Sequence, residues 1–338
     1  MKKLLAILLA MTMAVSMAGC SKEKAPDSAQ DSGTAPKAET QKDKKEKIKI
    51  GILQYMEHTA LDEARDGFVA ALKENGFVDG ENIEIDFQNA QADQSNLLTM
   101  SQRFVNNKSD LILAIATGAA QSAAAQTKDI PILFTAVTDP VAAGLVNSNE
   151  APGGNISGTN DMSPMEKQIE LMLTLAPDTK TVGVMYTSSE DNSVMQAAAV
   201  KEILKKKGLT YIEQTVTSSN DVQQATQSIV TKCDAIYIPT DNTFASAMPI
   251  VGEITQKAKV PVICGEESPV KNGGLATLGL NYYNLGHQTG EMAVRVLKGE
   301  DISKLPVESQ EKYSYLINGE TAKAIGITVP DELKEFVK

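Results

Sequence analysis

The stretch IKIGILQYMEHTALDEARDGFVAALKENG, residues 48–76, decides the reading of the fold. Ile48 to Gln54 is a short apolar run of strand-forming residues. Leu61, Ala64, Phe68, Ala71 and Leu72 then recur at the i, i+3, i+4 spacing of a helix face, and Asn75 and Gly76 stop that pattern. A strand followed directly by a helix is one unit of a parallel, helix-covered sheet.

The unit recurs along the chain. Further apolar runs lie at Ile83–Phe87, Leu111–Ala116, Ile130–Phe134, Thr181–Tyr186, Tyr211–Gln214, Ala235–Pro239 and Val260–Ile263. Continuous runs without alternation mark strands covered on both faces. Helical patterns fall between them, as in Ile169, Leu171, Met172 and Leu175 before Pro177, and in Val200, Ile203 and Leu204 ahead of Gly208. Strand and helix alternate up to Phe134, and again from Pro164 to Gly265. Without leader and linker roughly 290 residues remain, more than one core usually organises. The fold class is therefore α/β, with two doubly wound parallel-sheet lobes.

The first 47 residues differ from the rest. Lys2 and Lys3 precede an apolar core from Leu4 to Met17, and Met17, Ala18, Gly19 and Cys20 close it. This is the layout of an export signal over residues 1–19 ending in a lipid-attachment box at Cys20. It resembles the bacterial lipoprotein pattern, with Met17 where Leu is usual. Residues 20–47 alternate Ala, Ser, Pro, Lys, Asp, Glu and Gln without period, the composition of a lipid-anchored disordered linker. Residues 1–47 carry nine Lys against six acidic residues, whereas the remainder carries 23 basic against 37 acidic residues. So acidic a body excludes nucleic acid and anionic membrane surfaces as partners, leaving the lipid as its one link to a membrane. Cys233 precedes one strand and Cys264 ends another, so in a parallel sheet they lie too far apart for a disulfide and are read as buried thiols.

In doubly wound sheets ligands bind beyond the carboxyl ends of the strands. Those ends carry Tyr55, Met56, Glu57 and His58; Thr117, Gly118 and Ala119; Thr138, Asp139 and Pro140; Ser188, Ser189, Glu190, Asp191 and Asn192; Thr240, Asp241 and Asn242; and Gly265, Glu266 and Glu267. Thr117–Ala119 is a small-residue turn opening a helix, whose free backbone N–H groups suit a carboxylate. Thr117, Ser189, Asp241 and Asn242 would serve equally as plain helix N-caps.

QYMEHTALDEARDGF (54–68), ATGAAQS (116–122), TDPVAAGLV (138–146), PGGNISGTND (152–161), YIPTDNTFAS (237–246) and GLNYYNLGHQTGEMAVRVLKGE (279–300) together resemble the periplasmic-binding-protein-like lipoproteins of ABC importers, in the branch associated with tryptophan and other aromatic amino acids. The resemblance implies a type I fold whose two lobes are joined by a three-strand hinge, with crossings near Ser157–Asp161, Leu280–Tyr283 and Ser303–Pro306. Residues 47–157 with 282–303 then form one lobe, and 158–281 with 304–338 the other. It implies an extracytoplasmic, lipid-anchored monomer that hands an amino acid to an ABC permease and its ATPase, with no cofactor or metal.

In such a cleft the amides of Gly118 and Ala119, the Thr117 hydroxyl and Ser189 are expected to take the ligand carboxylate. Asp241 is expected to meet the ammonium, with Asp161 and Glu190 as alternates, because a buried cation needs a charged partner. Asn192, Asn242, Asn281, Thr138, Asp139, Thr240 and Glu266 supply further polar contacts. Tyr55, His58, Phe244 and one of Tyr282 or Tyr283 line the side-chain pocket. There is no GxSxG, GxxxxGK, HExxH or GxGxxG pattern, which argues for binding over catalysis. A sugar or nucleoside receptor on the same fold stays open, though the absence of Trp removes the usual ring-stacking residue. A ligand-sensing module for a signalling partner is the other alternative.

Overall fold

The structure, a computed structural model, describes residues 46–310 and 312–338. The expected signal peptide, the expected lipidation site Cys20 and the expected linker up to Lys45 lie outside them. Glu46–Lys338 form one compact unit.

The chain runs β1 (Ile48–Gln54), α1 (Thr59–Glu74), β2 (Ile83–Asn89), α2 (Gln94–Asn106), β3 (Leu111–Ile115), α3 (Thr117–Gln126), β4 (Ile132–Val137) and β5 (Ile156–Asn160). It continues as α4 (Met165–Leu175), β6 (Thr181–Thr187), α5 (Asp191–Lys206), β7 (Thr210–Val216), α6 (Ser219–Ile229), β8 (Ala235–Ile238), α7 (Asn242–Ala258), β9 (Val262–Cys264), α8 (Glu267–Lys271) and β10 (Ala276–Gly279). The last elements are α9 (Tyr282–Leu297), β11 (Glu308–Ser309), β12 (Ser314–Ile317) and α10 (Gly319–Ile325). Two six-stranded sheets result, ordered β11-β5-β4-β3-β1-β2 and β12-β10-β9-β8-β6-β7. All neighbouring strands pair in parallel except β12, which runs antiparallel to β10 with Ala276 opposite Ile317. This is the doubly wound, two-lobed α/β architecture expected from the strand runs.

Central strands such as β3 are buried at every position because helices cover both faces of the sheet. Helix α1 turns Ala60, Leu61, Ala64, Gly67, Phe68, Ala71 and Leu72 inward, and Gly76 leaves the helix with a φ of +84°. Burying a side chain such as Phe68 removes apolar surface worth about 2–3 kcal/mol. Cys233 and Cys264 are both free and buried. Among the described residues no helix is long and apolar enough to cross a membrane.

Three crossings join the lobes: residues 161–164 between β5 and α4, residues 280–281 between β10 and α9, and the segment between β11 and β12. The third was expected at Ser303–Pro306. Those residues stay instead in the first lobe, where Ser157 Oγ donates to Leu305 O and β11 extends the first sheet beside β5. Strands β5, β10, β11 and β12 are short or polar and gave no apolar run to read.

Helix α9 follows the second sheet but lies against α1 in the first lobe. The approach is close enough that a Cβ at Gly286 would stand 1.8 Å from the Ala64 carbonyl oxygen, and one at Gly67 would stand 2.0 Å from that of Tyr283. Gly286→Ala must therefore push the helices apart, and we expect it to lower stability by about 1–3 kcal/mol in urea unfolding. An unchanged midpoint would show that this contact is not tight.

Candidate functional site

The carboxyl ends of both sheets face one gap. In it lies a small cavity of about 10 Å³, lined by His58, Ala60, Leu61 and Ala136 from the first lobe, Tyr282 and Asp161 from the crossings, and Asn192, Thr240, Asp241, Asn242, Ala245 and Glu266 from the second. Beside it a more open cavity of about 250 Å³ is lined by Tyr55, Gln94, Thr117, Gly118, Gln121, Ser189, Glu190 and Asp191. Asn192 and Asn242 line both. The lobes meet around these spaces: His58 Nε2 lies 3.0 Å from Asn242 Oδ1, Gln196 Nε2 3.3 Å from Thr138 Oγ1, Gln121 Nε2 3.1 Å from Asp191 Oδ2, and Lys271 Nζ 3.4 Å from Glu63 Oε1.

Four buried carboxyl groups surround the gap, and no Lys or Arg lines either cavity. They divide by what their oxygens already hold. Asp241 Oδ1 accepts from Thr187 Oγ1 and the Phe244 amide, and its Oδ2 from the Thr187 amide, so it caps α7 and locks that helix to β6. Glu190 Oε2 accepts from the amide and side chain of Asn242, and its Oε1 from the amide and hydroxyl of Thr243. Asp241, the acid expected to meet an ammonium, thus already accepts three hydrogen bonds and the alternate Glu190 four.

Asp161 and Glu266 differ. Asp161 Oδ2 accepts from the Tyr282 hydroxyl and Glu266 Oε2 from the Ser268 amide, while Asp161 Oδ1 and Glu266 Oε1 are buried without a partner. His58 completes this set. Asn242 gives its amide N–H to Glu190, so its Oδ1 accepts from His58 Nε2 and leaves the lone pair of His58 Nδ1 buried and unpartnered. Burial keeps that imidazole neutral by lowering its affinity for a proton. Of the seven buried side-chain atoms without partners among the described residues, five belong to these walls: His58 Nδ1, Asp161 Oδ1, Thr240 Oγ1, Glu266 Oε1 and, in the open cavity, Thr117 Oγ1.

Backbone geometry shapes the first-lobe wall. Ala116, just before α3, has a φ of +81°, and Ala136, at the irregular end of β4, one of +57°. Each such conformation costs on the order of 1–3 kcal/mol and is typical of binding sites. The Ala116 turn starts α3 at Thr117, whose first amides have no partner within the helix. A Cβ at Gly118 would come within 3.0 Å of the Tyr55 ring, so the glycine lets the ring lie over the helix start. In the second lobe Tyr237 Oη donates to Gln168 Oε1 at 2.6 Å, while Gln168 Nε2 reaches Gly265 O and Leu278 O, fixing the loop that carries Glu266.

The gap gathers most of the residues expected from the sequence, with exceptions. Ala119 is buried within α3, Thr138 takes the interlobe bond from Gln196, and Asp139 accepts from the Val141 and Ala142 amides in its own turn. Asn281 is exposed and caps α9 through the Asn284 amide. Phe244 belongs to the second lobe's core, and Tyr283 is 39% exposed while Tyr282 is buried. The sequence reading missed the apolar lining of Ala60, Leu61, Ala136 and Ala245. Small apolar residues at helix starts and strand ends carry no signal of their own.

Burial pushes Asp161 and Asp241 up, and pushes Glu190 up to about 7 with the neighbouring Asp241 adding to the effect. Glu266 is pushed up to about 8 by burial. Unfolded, a glutamate titrates near 4.5, so between these values the native state holds a proton that the unfolded chain has lost. Stability of the ligand-free protein should accordingly fall as pH rises from 4.5 towards 8, by up to about 1.4 kcal/mol per pH unit for this group. Glu266→Gln should flatten that slope in urea unfolding at pH 5, 6.5 and 8. An identical slope in the variant would remove Glu266 as its source.

Comparison with known proteins agrees with this geometry. The sequence model of the family described as "ABC transporter substrate binding protein" matches residues 49–336. A "Tyrosine-binding protein" of Clostridioides difficile (strain R20291) is 43% identical over 96% of this chain and 92% of its own length. A crystal structure from Streptococcus pneumonia, described as an ABC domain in complex with L-Trp, superposes with a TM-score of 0.83 at 39% identity, covering 87% of this chain and all of that one. The ligand-free, open structure of a substrate binding protein with adhesive properties from Clostridium difficile is 50% identical, covering 86% of this chain and 98% of that one, yet gives a TM-score of only 0.67. Higher identity with poorer superposition is what a difference in lobe closure produces.

Proposed function

The chain belongs to the ABC transporter substrate binding protein family, and from that premise we propose that it is an extracytoplasmic lipoprotein, anchored through Cys20, that captures an aromatic amino acid for an ABC permease and its ATPase. The family is one of substrate-binding proteins rather than enzymes. Tyrosine and tryptophan are the ligands proposed, on the strength of the tyrosine-binding relative and the tryptophan-bound structure.

One observation carries the reading of the site: three buried polar atoms, His58 Nδ1, Asp161 Oδ1 and Glu266 Oε1, stand unpartnered around a cavity that no Lys or Arg lines, and Glu266 gives up the proton it holds in the empty site when a cation arrives. A protonated amine brings three N–H donors and the positive charge that buried carboxylates need. The amine therefore goes to Asp161 and Glu266, while Asp241 and Glu190 hold the second-lobe helices in place. Thr117 Oγ1, the amides of Gly118 and Ala119 and the Ser189 side face the α-carboxylate, which a helix start stabilises without a buried cation. Tyr55, Leu61, Ala136, Ala245 and Tyr282 provide apolar surface for the ring. Because the ligand touches both lobes, it favours the closed arrangement.

Titration calorimetry tests this. L-tyrosine or L-tryptophan should bind the wild type, and Asp161→Asn should weaken binding at least tenfold, on the scale of losing a charged partner. Heat from pentoses, hexoses or nucleosides with none from aromatic amino acids would replace the proposal with a sugar or nucleoside receptor.

A further inference from the structure

The three crossings between the lobes are laced to one another by side chains, and Asp161 belongs both to that lacing and to the cavity. Asp161 lies in the first crossing, directly after β5, and its Oδ2 accepts from the hydroxyl of Tyr282, where the second crossing enters α9. Gln310 of the third crossing donates from Nε2 to the Asn281 carbonyl of the second at 2.9 Å. Tyr313, also of the third, donates from its hydroxyl to the Met162 carbonyl of the first at 2.8 Å. Just before the first crossing, the hydroxyls of Thr135, Thr159 and Thr289 form a buried chain from β4 through β5 to α9. Of these ties only the Asp161 to Tyr282 bond ends on a group that also faces the cavity, through the unpartnered Oδ1.

We propose that Tyr282 is a positioning residue that couples the ligand's amine to the hinge through Asp161. This rests on the reading that the amine meets Asp161. A carboxylate is planar, so the bond that Tyr282 makes to Oδ2 fixes the direction in which Oδ1 points. A donor on Oδ1 in turn holds Oδ2 against Tyr282. Each bond favours the other, and since the two residues sit in different crossings, ligand in the cavity tightens the hinge as well as bridging the lobes. Loss of the phenol oxygen then acts on the closed complex and speeds release rather than slowing encounter.

The test compares wild type, Tyr282→Phe, Asp161→Asn and the double variant, using stopped-flow kinetics with L-tyrosine or L-tryptophan, whichever the wild type binds, and small-angle scattering at saturation. Y282F should raise the dissociation rate at least fivefold with the association rate within twofold, and its saturated radius of gyration should exceed that of the wild type. Adding Y282F to D161N should cost less than a further twofold, because both act through one carboxylate. A smaller rise in Y282F, or losses that multiply in the double variant, overturns the coupling. Should Y282F fail to fold, D161N decides by scattering: a saturated radius equal to wild type overturns the proposal, and a larger one supports it. Wild-type protein that binds neither amino acid sinks the proposed function itself, whereas wild-type binding with an unaltered Y282F sinks only the hinge coupling.

Discussion

The near-contact of α1 and α9 is the constraint on which the rest of the molecule depends. Gly67 and Gly286 let the two backbones approach to a separation that no side chain would allow, and Gly290 continues the seam against Phe68 and Ala71. Since α9 comes directly after β10 of the second sheet, this seam returns the chain to the first lobe and sets where Tyr282 lies. Tyr282 then meets Asp161, and the two line the same cavity. A seam of glycines thus determines the geometry of a hinge and of one wall of the site.

The site itself follows from how carboxyl groups are distributed in a medium poor in water. Asp241 gathers backbone and hydroxyl donors from the end of β6 and the start of α7, and Glu190 from the start of α7, the ordinary way a buried acid is made tolerable. Asp161 and Glu266 gather one donor each and leave an oxygen facing the gap. The difference separates acids that build the second lobe from acids that can recognise a ligand.

The sequence made the repeating strand and helix units legible because central strands such as β3 and β4 are unbroken apolar runs and several helices end at a recognisable stop such as Gly76, Pro177 or Gly208. Strand β5 was not legible, since Ile156–Asn160 is mostly small and polar, nor was β11, two residues long. Missing β11 moved the expected third crossing to Ser303–Pro306. At the site the loops were legible from topology alone, as Tyr55, Thr117, Asn192 and Asn242 show. The division of labour among the acids was not: Asp241 and Glu266 look alike in sequence, and only the count of donors around each separates them. Nor could the positive φ of Ala116 and Ala136 be read from a residue that seldom adopts it.

Of the four side-chain bonds described across the gap, two join neutral groups, the imidazole of His58 on an amide and an amide on the hydroxyl of Thr138, and a third joins the Gln121 amide to the Asp191 carboxylate. Among the described residues the one ion pair across the gap, Lys271 with Glu63, is half-exposed and long at 3.4 Å. Screening by dissolved ions weakens exposed charge pairs and leaves short neutral hydrogen bonds largely alone. The neutral half of the clasp is therefore insulated from ionic strength, so brackish and dilute surroundings alike leave that half able to shut.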